Sequence, residues 1–156
     1  MVNMSNAPSM SISLCGAGRA KLFRSTSTRV KQEIRDELEE SRCLVWTDYF
    51  KQIEEIYALA DCYIFPEVGK KASIVLPLSV LEAMACNLPV ISARFGALPE
   101  VFSEGGGLIF ADGEEDFLKG LGKVKNGMEV RTREKVLPYS WGEVVSKLEE
   151  IYSSLT

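Results

Sequence analysis

The stretch Leu76–Val101, LPLSVLEAMACNLPVISARFGALPEV, decides the fold. Pro77 suits a first helical position, where its fixed φ helps and its missing N–H had no partner to lose. Leu78, Val80, Leu81, Ala83, Met84 and Ala85 leave almost no polar face, so the spacing predicts a buried helix. Its one charge, Glu82, is costly among apolar neighbours unless something pairs with it. Asn87 tolerates the left-handed conformation that ends a helix, and Pro89 cannot continue one. Val90 and Ile91 then read as a buried strand, and Gly96 opens a loop before a second helix start. Helix, strand, loop and helix in this order form the repeating unit of a doubly wound α/β sheet. Ligands of such sheets sit at the carboxyl ends of the strands, where the amino end of the Pro77 helix would offer N–H groups to phosphate.

LEAMACNLPVISARFGALPEV resembles the C-terminal, nucleotide-sugar-binding half of a family 4 (group 1) glycosyltransferase with the two-domain GT-B fold. The resemblance extends back through EEIYALADCYIFP and forward through GGGLIFADGEEDFLKGL to YSWGEVVSKLEEIY, most of the chain after Ile12. It implies a Rossmann-like domain of about five parallel strands with helices on both faces. It also implies transfer of a sugar, with retention, from a nucleotide-diphosphate donor, without a cofactor or a bound metal. By the same resemblance Glu82 accepts hydrogen bonds from the ribose diol, and the backbone N–H groups of Leu78 and Ser79 hold the diphosphate. Gly16 and Gly18 allow close approach of the backbone to the donor, Arg19 faces the diphosphate, and Thr47 to Tyr49 edges the base pocket.

The loop Glu67–Ser73 departs from the family pattern. A glutamate is expected eight positions before Glu82, and Ile74 stands there, with Val75 and Pro77 where glycines are usual. The loop is also about four residues longer than expected. Glu67 is the candidate for the absent carboxylate, and Ile74 the alternative sugar contact. Lys70 and Lys71 either neutralise phosphate or form an ordinary exposed pair.

A length of 156 residues fits one domain with a real core: a flexible segment 1–10, then a donor-binding domain over 11–156. With 46% hydrophobic and 26% charged residues the composition is that of a soluble globular protein. A net charge of −4 argues against nucleic acid as a partner. No apolar run is long enough to span a bilayer, and the N-terminus lacks a signal pattern. Cys15, Cys43, Cys62 and Cys86 form no C-x-x-C pair, which fits buried thiols in a cytoplasmic protein. Histidine is absent, which excludes His-based triads and His metal ligands and removes the usual general base.

Along the chain, Ser11–Cys15 alternates as a strand and runs into Gly16-Ala17-Gly18, either a ligand-approach turn or a plain strand-to-helix turn. Arg19, Lys21, Arg24 and Arg29 form a basic cluster, facing a diphosphate or merely solvated. Helices are expected at Ser25–Ser41, Lys51–Ala60, Asp112–Val124 and Met128–Val136, the last one exposed. Strands are expected at Cys43–Thr47, Cys62–Phe65 and Gly106–Phe110. A closing helix capped by Ser140 carries Trp141, Val144, Val145, Leu148, Ile151, Tyr152 and Leu155. In the family such a helix crosses toward the partner domain; otherwise it closes the core.

The resemblance also implies two missing pieces: the N-terminal acceptor domain and the first, central strand of this half. Residues 1–10 could fill that gap, the sheet could close differently, or a partner chain could supply the strand. Unpaired sheet edges would favour homo-oligomers. Two functions stay open: a donor-binding domain inactive without its partner, or a non-catalytic binding or assembly module descended from a glycosyltransferase.

Overall fold

A computed structural model of the chain describes residues 11–15, 20–22, 24–25, 43–46, 51–67 and 75–155. The elements in order are β1 (Ser11–Cys15), β2 (Ala20–Leu22), β3 (Arg24–Ser25), β4 (Cys43–Trp46), α1 (Ile53–Ala58), β5 (Ala60–Phe65) and α2 (Leu78–Ala85). There follow β6 (Val90–Ala93), α3 (Leu98–Val101), β7 (Leu108–Ala111), α4 (Glu114–Lys125), α5 (Thr132–Val136), a 3-10 turn at Leu137–Tyr139 and α6 (Trp141–Ser153). No described helix is long and apolar enough to cross a membrane.

The fold is α/β, with a parallel sheet flanked by helices on both faces. β5, β6 and β7 form its body in full register, Tyr63 beside Val90 and Val90 beside Leu108. The three-residue β2 adds to the outer edge of β5, also parallel. The expected count of about five parallel strands is therefore corrected. β1 and β4 pair with each other antiparallel and, with β3, form a separate three-stranded sheet. Alternating apolar residues specify a strand but neither its direction nor its neighbour.

Period-two alternation splits the strand side chains between two cores. Tyr63, Val90, Leu108 and Phe110 face one layer, where they meet Tyr57 of α1, Val80, Ala83 and Met84 of α2, and Leu98 and Val136. Ile91, Ile109 and Ala111 face the other, covered by Phe117, Leu121 and Val124 of α4 and by Met128. Gly120 lets α4 lie close: a Cβ there would stand 3.1 Å from Ile91. Acidic residues fill the first turn of α4 and lysines its last, matching the helix dipole.

Several element bounds move. Lys51–Ala60 shortens to α1, because Ala60 already belongs to β5. Met128–Val136 is not one exposed helix; only Thr132–Val136 is helical, and both end residues are buried. The Thr132 hydroxyl donates to Leu88 O at 2.8 Å and lies 3.4 Å from Met84 O, while Asn87 Oδ1 accepts from the Arg133 N–H. A polar clasp there holds the segment against the end of α2. α6 is capped as expected, with Ser140 Oγ accepting from the Glu143 N–H, yet none of its residues is buried. It does not close the core of the described residues. The helix expected across Ser25–Ser41 lies outside the described residues after Ser25, which is in β3.

Candidate functional site

The parallel strands β5, β6 and β7 end together at Phe65, Ala93 and Ala111, and α2 begins at the same edge. The link is made by backbone. The Val75 carbonyl accepts from the Ala97 N–H at 3.0 Å, tying the approach to α2 to the loop after β6. That contact needs Gly96, which has a φ of +52° and comes so close that a Cβ would stand 2.0 Å from Val75 O. The helix amino end is thereby fixed at the carboxyl edge of the sheet, where α/β folds place ligands.

Pro77 is the N-cap rather than the first helical residue, with an extended ψ of 113°. Its fixed φ suits either position. Its carbonyl accepts from the Val80 N–H, and its side chain offers no cap. The helix itself leaves the N–H groups of Leu78 and Ser79 without intrahelical acceptors. The α2 residues facing the core are Ser79, Val80, Ala83 and Met84, a stripe with helical periodicity. The all-round burial expected of α2 is corrected: Leu78 is 63% exposed, Ala85 is exposed, and Leu81 and Glu82 are half-buried. The helix has an outward face after all, and the carboxylate stands on it.

Glu82 is positioned from the neighbouring helix. The Tyr57 hydroxyl donates to Glu82 Oε2 at 3.0 Å and lies 3.3 Å from Ser79 O. Tyr57 is only 1% exposed, and its ring packs edge-on against Tyr63, with centroids 5.9 Å apart. At the far end of α2, burial, followed by the charge of Glu54, pushes the Cys86 thiol pKa up.

Of the other sequence-derived candidates, Glu67 is exposed, two residues beyond the end of β5. Gly16, Gly18, Arg19, Thr47, Tyr49 and Ile74 lie outside the described residues. The structure thus brings together Leu78, Ser79 and Glu82. It adds Tyr57, which the sequence shows only as an apolar position of α1. The signal was a hydroxyl on a core-facing helix stripe, since buried tyrosine O–H groups usually find partners. Arg94 gave no sequence signal of its own. It follows β6 as Asp112 follows β7, and because Ala93 pairs with Ala111 the two meet, Nε to Oδ1 at 3.2 Å. The guanidinium also lies 5.1 Å from the Phe110 ring centroid.

Comparison with known proteins gives this edge a context. The profile described as Glycosyl transferases group 1 matches residues 4–125, well over half of the chain. Sulfoquinovosyl transferase SQD2 of Arabidopsis thaliana is 31% identical over 115 residues, which cover 66% of this chain and 22% of that protein. D-inositol 3-phosphate glycosyltransferase of Saccharomonospora viridis is 30% identical over 110 residues, covering 65% of this chain and 25% of that protein. The corresponding enzyme of Corynebacterium efficiens is 27% identical over 114 residues, covering 68% and 26%. The matched region spans about a quarter of the length of these relatives. On the profile match, the chain belongs to the group 1 glycosyl transferases.

Proposed function

We propose that this chain is the donor-binding, C-terminal half of a GT-B glycosyltransferase that uses a nucleotide-diphosphate sugar with retention. The observation that carries the reading is a carboxylate, Glu82, held on the outward face of α2, whose amino end is pinned at the strand-end edge. An ionised carboxylate only accepts hydrogen bonds, so it suits a ligand group that donates two, such as a ribose diol. The N–H groups of Leu78 and Ser79, with the positive end of the helix dipole, suit the diphosphate. When the sugar leaves, negative charge builds on that diphosphate, and fixed N–H donors stabilise it without reorganising. The acceptor enters from a partner domain, so the isolated chain binds donor but does not turn over. The reaction is metal-independent and cytoplasmic in this reading.

The test is titration of UDP, GDP, ADP and their sugar conjugates against the purified chain by calorimetry. At least one should bind, and Glu82→Ala should weaken it by about 1–3 kcal/mol, the cost of losing a charge-assisted hydrogen bond. Wild-type affinity in Glu82→Ala would overturn the reading.

One observation favours the second reading, a non-catalytic binding or assembly module. Position 74, where the resemblance calls for a carboxylate, is isoleucine. Failure of every nucleotide to bind would select that reading.

A further inference from the structure

The Tyr57 hydroxyl is deep in the molecule yet serves the surface of α2. Among the described residues, its one proton has Glu82 Oε2 at 3.0 Å and Ser79 O at 3.3 Å as acceptors. The nearer acceptor carries charge and takes the larger share. The other is a carbonyl of the first turn of α2, whose N–H groups point at the strand-end edge. One side chain therefore touches both parts of the proposed donor site, the carboxylate and the helix start. Its ring cannot swing away. Tyr57 is 1% exposed, wedged against Tyr63 and the apolar stripe of α2.

We propose that Tyr57 is a positioning residue for donor binding: its hydroxyl sets the rotamer in which Glu82 meets the ribose and braces the first turn that meets the diphosphate. The inference rests on the donor-binding reading above. A half-exposed glutamate on a helix has three side-chain torsions to restrict before it can hold a diol. The rigid phenol restricts them before the ligand arrives, so less ordering is left for the binding step. Tyr57 touches no ligand itself; it acts through Glu82 and Ser79.

Calorimetric titration of UDP, GDP and ADP against the wild-type chain, Tyr57→Phe, Glu82→Ala and the double variant tests this. Phenylalanine keeps the ring and its packing and removes only the hydroxyl. Tyr57→Phe should weaken the nucleotide that binds wild type by about three- to tenfold, the range for one net hydrogen bond. In the Glu82→Ala background the same change should have a clearly smaller effect, because the group it positions is gone. A merely structural tyrosine would lower affinity by the same factor in both backgrounds, and that result overturns the proposal. So does a Tyr57→Phe chain that binds like wild type while Glu82→Ala is weakened, in which case donor binding stands and the positioning role falls. Wild-type affinity in Glu82→Ala, or no binding by the wild-type chain, overturns the donor reading and this inference with it. Carboxyl 13C NMR gives a readout without nucleotide. The Glu82 resonance, identified by its loss in Glu82→Ala, should move in Tyr57→Phe, and an unmoved resonance refutes the contact.

Discussion

Gly96→Ala should be among the more damaging single-methyl additions in this chain, and the structure gives its size. Gly96 has a φ of +52°. An L-residue there costs about 1–2 kcal/mol in backbone strain alone. The added Cβ would stand 2.0 Å from Val75 O and 3.0 Å from Val75 C, both backbone atoms with no rotamer to escape into. Relieving that clash means pushing the two segments apart, which stretches the Ala97 N–H···O Val75 bond from its present 3.0 Å. Losing the bond costs about 1 kcal/mol, and the forced repacking about 1–3 kcal/mol more. Together these come to about 3–6 kcal/mol. Gly127→Ala is the control: φ is +77°, and among the described residues nothing lies within 4 Å of the added atom, so only the backbone strain applies. For a domain of this size a loss of about 1 kcal/mol lowers Tm by about 2–4 °C. Circular-dichroism melts should therefore put Gly96→Ala roughly 6 °C or more below wild type and Gly127→Ala only a few degrees below. Equal melts for the two variants would refute the Val75–Gly96 contact as the clamp on α2.

Packing and charge set three further outcomes. Thr132→Val keeps the shape of a fully buried side chain but removes the donor to Leu88 O. It should cost about 1–3 kcal/mol in urea unfolding, and Thr132→Ser, which keeps the hydroxyl, should cost less. Asp116 has its pKa lowered from the ordinary 3.8, first by the Lys119 hydrogen bond and then by the Asp112 backbone N–H. A depressed folded-state value gives stability that is present above 3.8 and lost as the pH falls through the lowered value. Asp116→Asn should accordingly flatten the urea-midpoint profile in acid while leaving its slope near neutrality unchanged. Ile151 lies on α6 and is 55% exposed, so it contributes little burial. Ile151→Glu should therefore change stability by less than about 0.5 kcal/mol, as surface substitutions usually do. A large loss in the melt would show that α6 packs on the core.

How much of this was legible depends on whether a feature is local. Asn87 is left-handed, with a φ of 56°. That was readable because one short polar side chain ends a helix before a proline. β6 was readable from its β-branched start, and the Ser140 cap from its place ahead of a periodic run. Burial around α2 was misread because composition says how apolar a helix is, not which residues face inward. Ser79 faces the core at 4% exposure while Leu78 faces out at 63%. The periodicity 79, 80, 83, 84 was present in the chain, but the apolar residues on the other face hid it. Strand partners were not legible at all. Ser11–Cys15 and Cys43–Thr47 read as strands of the parallel sheet, and β1 and β4 instead pair antiparallel outside it. The Tyr57–Glu82 contact joins residues 25 apart through two helices, a relation that no spacing within either helix encodes.

That contact bears on selectivity. With a rise of about 1.5 Å per residue, Glu82 lies about 6 Å along the axis from Leu78. A free phosphate at the helix start would gain the dipole and meet the repulsion of the carboxylate a turn away. On the proposed reading, a nucleoside diphosphate would keep its charge at the helix start and turn neutral hydroxyl donors toward Glu82, so that the same carboxylate would change from a penalty into an anchor. On the proposed reading, one turn of α2 thus discriminates against inorganic phosphate and in favour of a ribonucleotide. The discrimination works only if Glu82 stays on its outward face, where the Tyr57 hydroxyl reaches it at 3.0 Å, and if the amino end of α2 stays at the sheet edge to which the Ala97–Val75 bond ties it.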